Sequence, residues 1–263
     1  MSIGKKIRNR LAQGHDIWLF LDYDGTLADF APTPEDIFPN PEIIRLLARL
    51  AGTPHFRVAV ISGRRLRHVK ALLPVPGIIL AGTYGLELRL PDGSEEQLLD
   101  YEEIRPTLEA IKPDWENLIK GREGFFLEDK GWSLALHAKF ASDQQAEQVL
   151  SSVRHMLVGR IDLDRFRILG GYKFLEIGPA VAHKGQAVAR ILSRFSQPDE
   201  LLVYIGDDDK DEEAFEVIKA HGGVALVVTE HPRSTLADYR LDSPRAVRAW
   251  LDSLLQPGGP AVI

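Results

Sequence analysis

Five short, almost continuously apolar runs recur along this chain, with amphipathic stretches of helical length between and after them. The apolar runs occupy residues 17–21, 56–61, 77–81, 201–205 and 223–228. A strand buried on both faces has this composition, because neither face meets water. Helical patterns are predicted at residues 41–50, 64–73, 184–195, 211–220 and 243–255. Strands that alternate with helices in this way predict an α/β fold with a parallel, doubly wound sheet.

The middle of the chain follows a different pattern. It reads as a helix at 101–120, strands at 125–128 and 132–137, a helix at 142–158, and strands at 166–169 and 173–177. The pair Gly170-Gly171 suits the turn of a hairpin. The order αββαββ predicts a separate antiparallel α+β unit. We therefore expect a core domain formed by residues 1–100 and 180–263, an inserted domain at 101–179, and a loose tail at 257–263.

Composition excludes several functional classes. The 263 residues include 38 acidic and 32 basic side chains, and a net charge of -6 disfavours a large nucleic-acid surface. The absence of cysteine excludes disulfides, thiolate metal sites and cysteine nucleophiles. The first residues lack the apolar stretch of a secretory signal, and no run approaches the roughly 18 apolar residues of a membrane span. We expect a cytoplasmic monomer that binds neither nucleic acid nor membrane.

Polar residues follow three of the predicted strands at the point where each strand ends. Asp22 and Asp24 follow the first strand, Ser62 with Gly63 and Arg64 follows the second, and the acidic run 207–209 follows the fourth. Ligands of open α/β sheets bind at the carboxyl ends of the strands. If these strands are neighbours, their polar ends form one site.

The carboxylates of this group predict a magnesium site. Asp22, Asp24 and Asp207 would repel one another unless a cation lay between them. They supply oxygen ligands with no His or Cys beside them, and this ligand set suits Mg²⁺, which is bound by few carboxylates together with substrate phosphate.

The remaining polar groups suit a phosphate. Ser62 offers a hydroxyl group, and Gly63 lets backbone N–H groups approach an anion. Lys184 adds a positive charge at the start of a predicted helix. One carboxylate could attack phosphorus and a second could move the proton.

Each of these features also has an ordinary explanation when it stands alone. Asp after a strand is a common turn residue, and Asp-x-Asp occurs as a metal motif in sugar-nucleotide transferases. Ser62 could cap a helix, and Lys184 could lie on an exposed helix face. Their joint occurrence, each at a strand end or helix start, favours a functional site.

The combined motifs resemble those of the haloacid-dehalogenase superfamily of phosphotransferases. The matching positions are 22–27 (Asp-Tyr-Asp-Gly-Thr-Leu), Ser62, Lys184 and 206–208 (Gly-Asp-Asp). More narrowly, the chain resembles the trehalose-6-phosphate phosphatases in the stretches 60–64, 81–87, 128–130, 173–177, 183–185 and 206–212. The resemblance implies a Rossmann-like parallel-sheet hydrolase core with an inserted αββαββ cap domain, and hydrolysis of trehalose 6-phosphate.

The resemblance also implies a role for each core position. Asp22 would be the nucleophile that becomes phosphorylated, and Asp24 would protonate the departing sugar oxygen and then activate water. The phosphoryl group would be held by Ser62, Gly63, Arg64 and Lys184. Mg²⁺ would be bound by Asp22, Asp24 (through its backbone carbonyl), Asp207 and Asp208, with Asp211 in support.

In the inserted domain, the resemblance assigns sugar binding to six residues. They are Glu128, Lys130 and Glu176, with His137, Arg167 and Lys173 as weaker candidates. Carboxylates and lysines make strong charge-assisted hydrogen bonds to hydroxyl groups. The same charges could instead be solvated, and His137 could be a packing residue.

Three positions depart from the usual family pattern. Lys210 stands where Thr is usual, Tyr84 where His is common, and Lys139 where Arg is common. These departures leave open a related phosphatase for sucrose 6-phosphate or a glycosyl-phosphoglycerate. A phosphohexomutase and a non-catalytic sugar-phosphate-binding regulator are further alternatives.

Overall fold

The computed structural model describes residues 3–30 and 37–256, and the chain divides into two compact units. The first unit, here called the core unit, comprises Met1–Glu96 and His183–Ile263. The second unit comprises Gln97–Ala182. The segment 257–263, for which a loose tail is predicted, lies outside the described residues.

The described residues form twelve strands and eight α-helices, with a short 3₁₀ turn at Thr83–Gly85. The strands are β1 (Ile17–Leu21), β2 (Phe56–Ile61), β3 (Ile79–Gly82), β4 (Glu87–Arg89), β5 (Glu95–Gln97), β6 (Phe126–Asp129), β7 (Leu134–His137), β8 (Phe166–Gly171), β9 (Phe174–Pro179), β10 (Leu201–Gly206), β11 (Val224–Val228) and β12 (Tyr239–Leu241). The helices are α1 (Ile3–Ala12), α2 (Pro41–Ala51), α3 (Leu66–Leu72), α4 (Tyr101–Ile119), α5 (Asp143–Leu157), α6 (Lys184–Phe195), α7 (Asp209–Ala220) and α8 (Pro244–Ser253).

An eight-stranded sheet in the order β12-β11-β10-β1-β2-β3-β4-β5 forms the centre of the core unit. The strands from β12 to β3 in this order run parallel, and β4 is antiparallel to β3. This mostly parallel sheet confirms the predicted α/β fold. The three strands that end in polar residues are neighbours, because β1 lies between β10 and β2. The condition for a single shared site is therefore met.

Both faces of the central strands of this sheet are buried, which explains why these strands show no apolar–polar alternation. Every residue of β1 is buried. Leu19 belongs to a cluster that includes Leu47 of α2, whereas Phe20 belongs to a cluster that includes Phe215 of α7. Successive side chains of a strand point to opposite faces, so β1 needs apolar residues at all of its positions.

Side-chain caps fix where the helices next to the strand ends begin. The Asn40 side chain accepts a hydrogen bond from Glu42 N, with Pro41 in the first helical position of α2. His183 caps α6, and Asp208 forms a capping box with Asp211 at α7. The caps of α6 and α7 lie directly beside residues of the predicted site.

The second unit contains a four-stranded antiparallel sheet in the order β6-β7-β9-β8. Its elements follow one another as α4-β6-β7-α5-β8-β9, which is the predicted αββαββ order. Leu134, Leu136, Leu175 and Ile177 are fully buried on one face of this sheet. The register places the alternate residues of these strands on the opposite face.

Sequence patterns did not predict four elements of the core unit. These are α1, the short strands β4 and β5, and β12. Each of the three strands spans only three residues, too few for a period to be recognised. Within the described parts of the chain, none of the helices combines the length and the hydropathy that a membrane span requires.

Candidate active site

Three loops of the core unit meet because their strands are adjacent. Leu21 at the end of β1 pairs with Ile205 of β10 and with Val60 of β2. Asp22, Ser62 and Asp207 come within two residues of these paired positions. The structure therefore brings together residues that lie about 40 and 140 positions apart in the sequence, as predicted from the strand ends.

Lys184, the first residue of α6, is buried between two carboxylates. Its Nζ atom donates to Asp22 Oδ1 at 2.7 Å and to Asp211 Oδ1 at 2.7 Å. Burial alone would lower the pKa of Lys184, but the charges of Asp211 and Asp22 raise it well above its usual value. Lys184 therefore stays protonated and neutralises part of the acidic site.

Asp211 binds the backbone of the loop that follows β10. It is fully buried, its Oδ1 atom also accepts from Tyr204 Oη at 2.8 Å, and its Oδ2 atom accepts from the backbone N atoms of Asp207 and Asp208 at 3.0 and 3.1 Å. Together with Lys184, these donors engage both oxygen atoms of the Asp211 carboxylate. Asp211 is thus positioned to fix the acidic loop and Lys184.

The acidic oxygens could hold a metal ion. One carboxylate oxygen from each of Asp22, Asp207 and Asp211 lies within 4.8 Å of the others. Gly25, with a φ of +81°, makes room for the Asp207 side chain beside Asp22. A Cβ atom at position 25 would lie only 2.4 Å from Asp207 Oδ2. Since Asp211 already accepts four hydrogen bonds, Asp22 and Asp207 are the better-suited ligands for a hard cation.

The pKa values of these two carboxyl groups indicate uncompensated negative charge. Burial raises the pKa of Asp22 to about 8, against the opposing charge of Lys184 and with a further increase from Asp207 and Asp208. Burial, followed by the charges of Asp211 and Asp208, raises the pKa of Asp207 to about 7. A divalent cation would favour the ionised form of both groups.

Asp208 has a different environment from its neighbours. Its Oδ1 atom accepts from the backbone N atoms of Lys210 and Asp211, and Lys210 Nζ lies 3.2 Å from its Oδ2 atom. Although burial favours the neutral form, Lys184 and Lys210 hold the pKa of Asp208 well below its usual range. The structure places this carboxylate at the helix cap, and its role as a metal ligand stays a prediction.

The loop after β2 carries the predicted phosphate-binding groups. Ser62 is almost fully buried, and its Oγ atom accepts from Arg64 N at 3.1 Å. The Arg64 guanidinium holds Asp24 in a fork, with Nε 2.7 Å from Oδ2 and Nη2 2.9 Å from Oδ1. Arg64 therefore fixes the orientation of the Asp24 carboxylate.

In the second unit, the polar sheet face carries five of the six predicted sugar-binding residues. Glu176 is almost fully buried and accepts from Ser133 Oγ at 2.6 Å and from Lys130 Nζ at 3.1 Å. His137 Nε2 lies 2.9 Å from Glu128 Oε2, and its ring stacks on Phe126 with centroids 4.3 Å apart. The face thus combines carboxylates, donors and aromatic rings.

The other two candidates of this unit differ from one another. Arg167 belongs to the same face by register, and its Nη1 atom donates to the carbonyl of Ala182 at 3.1 Å. Lys173 lies in the turn between β8 and β9, where its Nζ atom donates to Ala141 O at 2.6 Å and pairs with Asp143 at 2.8 Å. Lys173 therefore fastens the hairpin to the start of α5.

Two supporting residues escaped the sequence analysis. Arg233 Nη2 donates to the carbonyls of Asp207 and Asp208 at 3.2 Å each, and its Nη1 atom pairs with Asp209 at 2.9 Å. Glu87, a buried carboxylate, binds the loop behind Ser62. Arg233 stands in an irregular segment without a motif. Glu87 lies within the stretch 81–87 that carries the resemblance, but nothing in the sequence indicated which loop it supports.

Comparison with known proteins agrees with this arrangement. The family model of trehalose-phosphatase matches residues 20–245. The chain belongs to the trehalose-phosphatase family. It is 30% identical over 258 residues to trehalose-phosphate phosphatase B of Arabidopsis thaliana, covering 93% of this chain and 68% of that protein. It is also 30% identical to a probable trehalose-phosphate phosphatase of Sinorhizobium fredii, covering 96% of this chain and 93% of that protein.

Solved structures share the fold of this chain. The C-terminal domain of the C. albicans trehalose-6-phosphate phosphatase superposes with a TM-score of 0.81 at 18% identity, covering 94% of each chain. A haloacid dehalogenase-like hydrolase from Bacteroides thetaiotaomicron gives a TM-score of 0.63 at 16% identity, covering 90% of this chain and 98% of its own. These likenesses confirm the predicted hydrolase fold of the superfamily.

The raised pKa values predict a pH-dependent effect of Mg²⁺ on stability. A carboxyl group whose pKa rises on folding favours the folded state while protonated, and this contribution is lost as the pH rises through the folded-state pKa. Without a cation, the contribution of Asp22 and Asp207 to stability should therefore fall between about pH 4 and pH 8. Bound Mg²⁺ should offset this loss, because it replaces the protons.

We therefore expect Mg²⁺ to raise the melting temperature more at pH 8 than near pH 5, measured against a chelator control. Asp207→Asn should reduce the pH dependence of this gain, whereas Asp252→Asn, which removes a half-exposed carboxylate of α8, should preserve it. An equal gain at both pH values would show that these carboxyl groups do not hold the cation.

Proposed function

We propose that the protein hydrolyses trehalose 6-phosphate to trehalose and phosphate, with Asp22 as the nucleophile. The observation that carries this proposal is the buried contact of Asp22 with Lys184, beside Asp207 and at the junction of three strand ends. The plant relative is named a trehalose-phosphate phosphatase, and the bacterial relative is named a probable trehalose-phosphate phosphatase. Family membership supports the substrate, and the site geometry supports the chemistry.

In the first step, an Asp22 carboxylate oxygen attacks phosphorus and the bond from phosphorus to the sugar oxygen breaks. Lys184 holds the Asp22 carboxylate in a fixed orientation, and its charge opposes the rise that burial causes in the pKa of Asp22. Asp24 donates a proton to the departing sugar oxygen. The products of this step are free trehalose and an aspartyl-phosphate on Asp22.

In the second step, Asp24 takes a proton from a water molecule that attacks phosphorus. The bond between phosphorus and Asp22 breaks, which releases inorganic phosphate and restores the carboxylate. The fork between Arg64 and Asp24 suits this cycle, since a phosphate dianion is a competing partner for the guanidinium. When Arg64 binds phosphate instead, the Asp24 carboxyl group is free to exchange protons.

The donor set fits Mg²⁺. Asp22 and Asp207 present oxygen atoms close together, and burial leaves their negative charge poorly compensated. Asp22, Asp207 and the backbone carbonyl of Asp24 would hold the ion, with Asp208 as a further candidate. When bound, Mg²⁺ supplies positive charge that stabilises the phosphoryl group during transfer. Asp211 and Arg233 keep the acidic loop in place for this purpose.

We assign recognition of the sugar to the polar face of the second unit. Glu128, Lys130 and Glu176 offer acceptors and a donor at fixed positions, because each is already held by a neighbour on the same face. A disaccharide presents many hydroxyl groups that can both donate and accept. His137 and Arg167 extend this face, and Lys173 anchors its hairpin.

Release of phosphate from a set of sugar phosphates tests the substrate. We expect the kcat/KM for trehalose 6-phosphate in Mg²⁺ to exceed that for sucrose 6-phosphate, glucose 6-phosphate and the glycosyl-phosphoglycerates by at least about a hundredfold. That ratio corresponds to about 2.7 kcal/mol of transition-state discrimination. A flat ranking would refute the sugar assignment, and interconversion of sugar phosphates without phosphate release would identify a mutase.

Substitution of the nucleophile tests the chemistry. Asp22→Asn should lower kcat by at least about a thousandfold, because an amide cannot form the phosphoenzyme. The circular dichroism spectrum should be unchanged, since the amide keeps the volume of the carboxyl group. Asp252→Asn serves as the matched control with normal turnover. An Asp22→Asn enzyme that retains substantial activity would refute the assignment.

The role of Glu176 is tested by comparing a substrate that carries a sugar with one that does not. Glu176→Gln should lower kcat/KM for trehalose 6-phosphate at least about tenfold more than for p-nitrophenyl phosphate, which carries no sugar. Asp129→Asn is the matched control, because Asp129 is an ion-paired carboxylate of the same unit that lies off the polar face. Equal losses on both substrates would make Glu176 a structural residue.

A further inference from the structure

The turn that follows β3 has a backbone conformation that L-residues rarely adopt. Thr83 and Tyr84 have φ values of +48° and +54°. Such values are uncommon for any residue other than glycine and are true outliers for a β-branched residue such as Thr. Both side chains are buried. A strained turn of this kind persists only where its surroundings hold it, and such turns concentrate at functional sites.

Glu87 is the group that holds the turn. Its Oε2 atom accepts from Thr83 Oγ1 at 2.8 Å and from Leu66 N at 3.1 Å, and Arg65 Nη2 lies 3.3 Å from its Oε1 atom. Burial opposes ionisation of this carboxyl group, but these hydrogen bonds and the Arg65 charge lower the pKa of Glu87. An ionised, buried carboxylate thus ties the turn to the first residue of α3.

Backbone N–H groups of the strained turn bind carbonyl oxygens of the loop after β2. Thr83 N donates to the carbonyl of Arg64 at 2.7 Å, and Tyr84 N donates to the carbonyl of Ser62 at 2.9 Å. A carbonyl oxygen that faced a phosphate group would repel it. By binding the two carbonyl oxygens, the turn keeps them away from an anion bound at Ser62 and Gly63.

The Tyr84 ring completes the contact with this loop. A Cβ atom placed on Gly63 would lie 2.7 Å from the ring, so the ring occupies the space of the missing side chain. Lys210 Nζ lies 5.7 Å from the centroid of the same ring and 3.2 Å from Asp208 Oδ2. The ring therefore lies between the loop after β2 and the acidic loop after β10.

We propose that Tyr84, held in a left-handed turn by Glu87, is a positioning residue that shapes the Ser62–Arg64 loop for a phosphate group and connects it through Lys210 to the acidic loop. This inference rests on the phosphate-binding role proposed for Ser62 and Gly63. It assigns a joint function to Tyr84 and Lys210, two positions at which this sequence departs from the usual family pattern. Ring carbons Cε1 and Cζ and the hydroxyl oxygen of Tyr84 all lie 2.7 Å from the position that a Gly63 Cβ atom would occupy.

The test measures binding of inorganic phosphate, through its inhibition of p-nitrophenyl phosphate hydrolysis and by calorimetry in Mg²⁺. Tyr84→Gly removes the ring and suits the positive φ, and it should weaken phosphate binding by about tenfold to a hundredfold, because small displacements of binding groups cost this much. Tyr84→Phe keeps the ring and should bind phosphate within about twofold of the unsubstituted protein.

A matched control separates positioning from general stability. Phe56→Ala removes a buried aromatic ring at the opposite end of β2. It should lower the melting temperature without changing the inhibition constant of phosphate. If Tyr84→Gly binds phosphate as well as the unsubstituted protein, or if Phe56→Ala weakens binding equally, Tyr84 is not a positioning residue.

A double-mutant cycle tests the connection to Lys210. If Lys210 acts through the Tyr84 ring, Lys210→Met combined with Tyr84→Gly should bind phosphate no more weakly than Tyr84→Gly alone. Fully additive losses would overturn the connection.

The outcomes for this turn and for the proposed function can be told apart. Absence of phosphate release from any sugar phosphate by the unsubstituted protein would refute the function, while phosphate affinity would still report on the turn. An unsubstituted protein that binds no phosphate would overturn the inference itself.

Discussion

The ammonium group of Lys184, buried between Asp22 and Asp211, is the interaction on which the arrangement of the core unit depends. Loss of the ammonium group would leave two buried carboxyl groups without their positive partner, at a cost of several kcal/mol. One ammonium group cannot balance the carboxylates that surround it, and burial therefore keeps the pKa of Asp22 and Asp207 high. This unmet negative charge, at the ends of three strands, suits a divalent cation and a phosphate group together.

The loops that carry these charges are held in place by supporting side chains and backbone groups around them. Asp211 binds the backbone N–H groups of the acidic loop, and Arg233 binds carbonyls of the same loop. The turn at Thr83 and Tyr84 does the same for the loop after β2. A loop is the most mobile part of an α/β fold, so fixed chemistry at a strand end requires such supports. The reacting side chains can then be held without rearrangement during the reaction.

The sequence predicted the five strands β1, β2, β3, β10 and β11 of the core sheet, their polar ends and the order of elements in the second unit, because apolar runs and motifs are local signals. It placed Asp22, Asp24, Ser62 and Lys184 at strand ends or at a helix start, where the structure also has them. It could not predict that Arg64 holds Asp24, or that Glu87 and Arg233 fix loops, since each of these contacts joins distant segments. Left-handed φ values at Thr83 and Tyr84 were equally hidden, because neither residue type favours them.

The carboxylates of the two candidate sites differ in how far their charge is balanced. In the core unit, Asp22 and Asp207 remain short of positive charge, which favours the arrival of a cation. In the second unit, Glu176 already has Lys130 and Ser133 as partners, so a ligand gains nothing there by bringing charge. A neutral polyol can share these oriented groups, and a ligand that lacks a matching hydroxyl leaves one of them unpaired. The charge balance of each unit is therefore consistent with the roles proposed above, chemistry on a phosphate for the core unit and selection of a neutral sugar for the second unit.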